Sequence, residues 1–374
     1  MLDHVDYDAL DRAKGAFIRA SKQTLTFAEK FGFVPDGRLG ASANVFSLDL
    51  EPFIAAGAKR LHITLLPEGL GTADDARPDD LSEGELVEFW HNIGVKTVAC
   101  LTNDAASSGM QTILISLYLP SANPELVFDV PFLSGFLDGF VSGCAEVGCV
   151  WISGETPQLK GKICQSKLDI AGALFGLMPP GMVPIDGTEL GPGNKIVFVE
   201  SSGPHENGFT SLRKLAGELP GGYRTVLSDG RQFWQAINSP SILYTRFVQR
   251  LLGAGVAVTS IENVTGHGWQ KLMRSRKPLS YVIHDMLPIP EIFRFVASAT
   301  GVATADMLKI FNCGVGCAVY VESEEDARQT VVLAREVGLR AVVAGDVRPC
   351  DEREVVIEPL SLRLLDSSFA LSRD

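Results

Sequence analysis

No apolar run in this sequence approaches the length of a membrane span. The longest, such as Ile113 to Leu119, fall far short of the roughly 18 residues that a bilayer crossing takes. A basic region ahead of an apolar stretch, the mark of a secretory leader, is also missing: the chain begins Met1-Leu2-Asp3-His4 and carries Asp6, Asp8 and Asp11. Cysteine is sparse and irregular. The seven cysteines include no Cys-x-x-Cys pair, and neither Cys144 and Cys149 nor Cys313 and Cys317 has the histidines that would suggest zinc. Buried reduced thiols in a cytoplasmic protein are the expectation. Basic charge is in deficit, with 33 Lys and Arg against 45 Asp and Glu and a net charge of −12. Such a chain repels polyphosphate, which argues against nucleic acid as a partner. A single nucleotide, held by a few local groups and a metal ion, stays compatible with it.

What is present is a globular composition, 46% hydrophobic and 21% charged, over 374 residues. That length suits two domains better than one. The pattern is mixed α/β. Phe132 to Cys149 shows helical apolar spacing at Leu133, Phe136, Leu137, Phe140, Val141 and Cys144. Cys149–Ile152, Val95–Leu101, Thr112–Leu119 and Ile170–Phe175 are rich in β-branched and apolar residues and read as strands. Around Pro184 to Asn194 two prolines and three glycines interrupt all periodicity, which places a domain boundary there and divides the chain into residues 1–183 and 184–374. Beyond it, Lys195–Glu200 reads as a strand, Phe209–Leu219 as a helix, and Gly316–Val321 and Leu339–Val347 as strands joined by a helix that Ser323 and Asp326 start.

Four loops, each expected to follow a strand, combine glycine with polar or acidic residues. They are Pro67–Asp75 (PEGLGTADD), Thr102-Asn103-Asp104, Ser153-Gly154-Glu155-Thr156, and Ser201–Phe209 (SSGPHENGF). Glycine lets the backbone approach an oxygen-rich ligand, and free N–H groups at a following helix start favour an anion. Carboxylates beside such loops suit Mg²⁺, which prefers one or two of them together with substrate phosphates. Taken singly, Gly-Glu-Thr also fits a plain turn and Asn-Asp a helix start. GLGT is no P-loop, because no Gly-Lys-Ser/Thr follows.

Taken in order, these segments resemble the aminoimidazole ribonucleotide synthetase (phosphoribosylformylglycinamidine cyclo-ligase) family. Its wider ATP-using superfamily includes selenophosphate synthetase and thiamine-monophosphate kinase. VDYDALDRAK resembles the family's N-terminal segment, SGET its Gly-Gly-Glu-Thr, and DIAGALFG the following strand. SSGPHENGFTSLR is similar to Ser-Ser-Gly-x-His-Ser-Asn-Gly-Tyr-Ser-Leu-x-Arg, NVTGHG to Ile-Thr-Gly-Gly-Gly, FNCGVGC to Phe-Asn-x-Gly-x-Gly, and AGDV to the terminal Gly-x-Val. The first loop departs from the family's Asp-Gly-Val-Gly-Thr-Lys: Glu68 stands for the Asp and Ala73 for the Lys, and His267 replaces a glycine of the later turn.

The resemblance implies a two-domain α/β fold, with an N-terminal domain that pairs strands across a homodimer, a pairing supported by the apolar Thr112–Leu119 strand, which would otherwise be an exposed hazard, and an ATP site in the cleft between domains. It implies ATP-dependent closure of formylglycinamidine ribonucleotide to aminoimidazole ribonucleotide. Alternatives are phosphorylation of another small amide or carboxylate by the same kind of enzyme, or a non-catalytic nucleotide-binding relative. The cofactors implied are ATP and Mg²⁺, with Glu68, Asp104 and Glu155 on the metal. Gly69, Gly71, Thr72, Asn103, Gly154 and Thr156 would line ATP and its phosphates. Ser201, Ser202, Gly203, Gly208, Thr265 and Gly266 would hold a small nucleotide substrate. His205 and Asn207 would be catalytic, with loop bracing as the competing role for His205.

Overall fold

The computed structural model describes residues 7–35, 39, 43–123 and 125–365. Val5 and Asp6 of the N-terminal motif, and the chain after residue 365, lie outside them. The chain divides into two compact units, one of residues 1–105 and 110–183, the other of residues 106–109 and 184–374.

The first unit begins with helix α1 (Tyr7–Gln23), a short strand pair β1 (Phe33–Pro35) and β2 (Phe46–Leu48), and helix α2 (Glu51–Ala55). Strand β3 (Ile63–Gly69), helix α3 (Glu83–Ser107), strand β4 (Gln111–Tyr118), helices α4 (Glu125–Phe128) and α5 (Val130–Val147), and strands β5 (Val150–Glu155) and β6 (Ala171–Leu177) complete it. The sheet order is β3-β6-β4-β5. Strand β6 runs antiparallel to both its neighbours, and β4 runs parallel to β5.

Helices α3 and α5 meet backbone to backbone. A Cβ on Gly135 would fall 2.3 Å from Val87 O, one on Gly139 1.9 Å from His91 O, and one on Gly94 2.4 Å from Phe136 O. Only glycine fits such contacts. The phenylalanines that give α5 its apolar stripe stack in series, Phe132 on Phe136 at 5.1 Å and Phe136 on Phe140 at 5.9 Å between ring centroids, and Phe140 reaches Trp151 of β5 at 4.8 Å.

Three expectations are corrected here. Val95–Leu101 is no strand but the middle of α3. Buried Phe89, Ile93, Val98, Leu101 and Ala105 recur at helical spacing. The hydroxyls of Thr97 and Thr102 donate to Ile93 O at 2.8 Å and Val98 O at 2.9 Å, so β-branched residues are accommodated inside the helix. Asn103 and Asp104 therefore sit in the last turns of a helix, not in a loop after a strand. Ser153, Gly154 and Glu155 are the end of β5 itself, not a loop beyond it. Finally, the apolar strand of residues 112–119 is an interior strand, β4, paired on both sides, so it leaves no edge open to a second chain.

In the second unit come β7 (Lys195–Glu200), α6 (Phe209–Glu218), α7 (Phe233–Ile237), α8 (Thr245–Gly253), β8 (Val258–Asn263), β9 (Leu279–Ile283), α9 (Glu291–Thr300) and α10 (Thr304–Ile310). Then follow β10 (Val315–Val321), α11 (Glu324–Glu336), β11 (Ala341–Pro349), β12 (Glu354–Ile357) and β13 (Leu362–Leu365). They build one sheet in the order β13-β12-β9-β11-β7-β10-β8. Strands β10 and β11 are each antiparallel to β7 between them, so they are parallel to each other and α11 is the crossover of a β-α-β unit split around β7. Ser323 caps α11 by accepting from Asp326 N–H at 3.1 Å. Ala327, Leu333 and Ala334 of α11 join Val197, Val199, Cys317 and Val319 in one buried cluster.

Candidate functional site

The register of the first sheet aligns the candidate residues at one end. Glu68 of β3, Gly172 of β6, Leu117 of β4 and Gly154 of β5 form one row, and Gly69, Ala171, Tyr118 and Glu155 form the next. Three interstrand spacings separate the outer members of a row, about 14 Å. Glu68 and Glu155 thus flank the same sheet end from its opposite edges. Asp104 comes from α3: Cys100 Sγ lies 3.6 Å from Gly69 O, and Asp104 is one helical turn further along the same helix face. Asn103 is buried.

The loop after β3 turns at Gly71, where φ is +72°, a conformation that favours glycine. Leu70 N–H donates to Ile170 O at 2.8 Å, which keeps the loop beside the start of β6. A single helical turn, Ala73–Asp75, follows Thr72. Ala73 is buried, so this position looks into the fold. Asp74 is buried as well, at 6% exposure. Burial, and then the neighbouring charges of Asp75 and Asp169, push its carboxyl up to about 7. Lys167 Nζ meets Asp75 Oδ1 at 2.7 Å.

On the β5 side, a cleft of about 550 Å³ is lined by Lys14, Phe17, Asn44, Trp151, Glu155 and Thr156 among others. Gly154 stands where a Cβ would lie 2.6 Å from Leu117 O. Asn44 Nδ2 donates to Ile152 O at 2.6 Å, while its buried Oδ1 has no hydrogen-bond partner among the described residues. An apolar floor with a few convergent polar groups is the make-up of a small-molecule site. Among the described residues no three His, Cys, Asp or Glu side chains converge as a metal cage. The carboxylates of Glu68, Asp104 and Glu155 nonetheless have the chemistry Mg²⁺ selects, hard oxygens used one or two at a time beside phosphate oxygens.

In the second unit the structure brings the SSGPHENG loop, the NVTGHG turn and the FNCGVGC segment together, and Asn312 is the joint. Its Oδ1 accepts from Ser201 Oγ–H at 2.8 Å and from Gly314 N–H at 3.0 Å, and its Nδ2 donates to Gly203 O at 2.9 Å. Trp269 Nε1 donates to Asn312 O at 2.9 Å. Ser201, Gly203 and His205 are buried. His205 Nε2 accepts from Ser202 N–H at 3.3 Å and Ile242 N–H at 3.5 Å, which is the geometry of a loop brace. The half-buried face of the cluster is Ser202, Asn207, Gly208, Thr265 and Gly266. Asn207 Oδ1 lies 3.5 Å from the point a Cβ on Gly266 would occupy, and Lys271 Nζ bonds the Thr265 hydroxyl. Gly208 begins α6 at φ +78°, where a Cβ would fall 2.1 Å from the Phe311 ring.

Sequence reasoning gave no role to Asn312, Asp74 or Lys167. The first was visible as part of the Phe311–Cys317 motif and the second as part of the first loop. Lys167 carried no local signal, because it reaches Asp75 across 92 residues of chain.

Residues 82–178 match the family model described as AIR synthase related protein, N-terminal domain. Among solved structures, the chain is similar to E. coli HypE, a hydrogenase maturation protein, at 17% identity and a TM-score of 0.59, covering 91% of this chain and 94% of that one. It is similar to hydrogenase maturation protein HypE in complex with ATP, at 20% identity and a TM-score of 0.60, covering 93% and 94%. It is also similar to thiamine-monophosphate kinase from Stenotrophomonas maltophilia K279a, at 16% identity and a TM-score of 0.60, covering 93% and 97%. The two-domain mixed α/β architecture of this chain is therefore the AIR synthase-like fold.

Proposed function

We propose that the chain is an ATP-using enzyme that phosphorylates a small amide or carboxylate oxygen. The observation that carries this reading is the sheet end of the first unit, where register places Glu68-Gly69 and Gly154-Glu155 in adjacent rows and Cys100 brings α3, with Asp104, to the Gly69 loop. The turn at Gly71 and the end of β5 offer backbone N–H groups to phosphate oxygens, and Thr72 and Thr156 add hydroxyls. Glu68 with Asp104 on the β3 side, and Glu155 about 14 Å away on the β5 side, are the carboxylates that would hold Mg²⁺, each side its own ion, and such an ion neutralises phosphate charge when bound. In the second unit, Asn207, Gly208, Thr265 and Gly266 offer the half-buried polar face for the acceptor, and His205 positions that face from within. The ATP complex of HypE and the kinase of similar fold support an ATP-dependent reaction. Ring closure of formylglycinamidine ribonucleotide is one member of the class, and the broader statement is preferred because solved structures of the same fold include a kinase. A homodimer paired through β3 completes the reading, since that edge strand exposes Ile63 at 60% and Leu65 at 76%.

The test is purified protein with Mg-ATP and a panel of acceptors, formylglycinamidine ribonucleotide among them, followed for ADP release. Acceptor-dependent ADP supports the reading and names the acceptor. A saturable ATP complex without turnover under every acceptor points to a nucleotide-binding protein, and no ATP-dependent thermal shift refutes the assignment.

A further inference from the structure

Resting on the nucleotide reading above, we propose that the loop from β5 to β6 supplies the cationic contact to the nucleotide's phosphates, through Lys167. The end of β3 and the loop after it carry carboxylates at Glu68, Asp74 and Asp75, and position 73 of that loop is a buried alanine. Beside any Mg²⁺ that Glu68 would hold, a polyphosphate lying against this loop still meets the carboxylates of Asp74 and Asp75, and a cation brought from elsewhere in the chain offsets them. Residues 156–169 bring three: Lys160, Lys162 and Lys167, in a protein of net charge −12.

Their path is fixed by the backbone. The loop leaves β5 at Glu155 and is held at the end of β4, where Ser121 N–H donates to Pro157 O at 3.1 Å and Leu159 N–H to Ser121 O at 2.7 Å. Asp169 N–H donates to Pro120 O at 2.9 Å, and the chain then enters β6 beside the Gly69-Leu70 turn. The loop therefore runs along the sheet end that carries the candidate residues, from Glu155 at one edge to Gly69 at the other. At its far end the Lys167 ammonium stands 2.7 Å from Asp75, three residues past Thr72, and remains 41% exposed. That is a cation already seated at the loop and still open to an incoming anion. Asp75 holds it in place until a phosphate offers more charge.

The Lys167–Asp75 pair also has a plain reading, a surface ion pair that only ties two loops together. The two readings predict opposite signs for the two partners. Calorimetric titration with Mg-ATP of wild type, Lys167→Gln and Asp75→Asn separates them, with circular dichroism to establish that each is folded. Lys167→Gln, which removes the charge and leaves a shorter polar side chain, should weaken Mg-ATP at least about tenfold. The deficit should shrink between about 50 and 300 mM salt, where the screening length falls. Asp75→Asn should leave affinity unchanged or raise it, because it releases the ammonium and removes a negative charge. Lys167→Arg, the variant to use if the glutamine form does not fold, should bind within about threefold of wild type at low salt. Equal losses in Lys167→Gln and Asp75→Asn, or no loss in the first, overturn the proposal while leaving nucleotide binding intact. Wild type that takes up no Mg-ATP refutes the function itself, and this inference with it.

Discussion

A carboxylate whose burial costs more than its surroundings return should declare itself in the pH dependence of stability. Asp74 is such a group. Its carboxyl is 6% exposed, faces the charges of Asp75 and Asp169, and titrates near 7 against 3.8 for the free side chain. The folded state holds this proton more tightly than the unfolded one. Stability contributed here therefore falls as pH rises from about 4 to about 7, and the full cost stands above 7. Linkage puts that cost at about 4 kcal/mol at pH 8 and about 2 kcal/mol at pH 5. Asp74→Asn keeps the shape and removes the charge, so its advantage over wild type should be about 2–3 kcal/mol larger at pH 8 than at pH 5. For a unit of this size that corresponds to roughly 5–10 °C in the midpoint of thermal unfolding. Unfolding of both proteins at the two pH values, without divalent cation, is the assay. A gap between variant and wild type that does not widen with pH would show that Asp74 is ionised in the fold and that its burial is compensated.

Four further outcomes follow from the structure. Asp104→Asn, in the last turn of α3 and with an amide of nearly the same size, should leave the thermal midpoint nearly unchanged and weaken Mg-dependent ATP binding at least about tenfold by calorimetry; equal affinities would remove Asp104 from the metal site. Leu65→Lys, at 76% exposure on the β3 edge, should shift sedimentation from dimer to a 40.2 kDa monomer, and a wild type already monomeric at micromolar concentration would refute pairing through this edge. Gly208→Ala, with φ +78° and a Cβ 2.1 Å from Phe311, should cost about 2 kcal/mol or more in denaturant unfolding; a neutral result would mean that α6 starts elsewhere. Hydrogen bonds that the imidazolium of His284 donates to Glu358 and then to Asp346 raise its pKa, so its contribution is complete below the usual histidine value and lost as pH rises through the raised one; His284→Gln should erase that part of the pH profile, and an unchanged profile would assign it to another group.

Where the chain was legible, a local rule was also the deciding one. Strands β7 and β10 and helices α5, α6 and α11 follow from periodicity, glycine and the Ser323 cap. The α3 segment misleads because Val95, Thr97 and Val98 carry strand propensity, whereas the helix is decided by packing of Ile93, Val98 and Leu101 and by the glycine contacts to α5. Strand β4 has the same apolar look whether it is an edge or a centre, and only the partners β5 and β6 settle which. The glycine loops announce themselves in a handful of neighbouring residues. The meeting of Lys167 with Asp75, and of Asn312 with Ser201 and Gly203, depends on how distant strands align, and no local pattern encodes that.

The Asn312 joint has a kinetic consequence. Its side chain ties residue 312 to residues 201 and 203, more than a hundred positions away, and its carbonyl to Trp269. Contacts of such sequence separation form only after the intervening chain has paid its loop-closure entropy. During synthesis from the N-terminus, β7 and the SSGPHENG loop emerge long before the residue that fastens them. The loop must wait, unfastened, until β10 has emerged and docked against β7. A chain interrupted before Asn312 would carry every residue of that loop and still lack its shape, so the acceptor face of the second unit is among the last features of the molecule to become real.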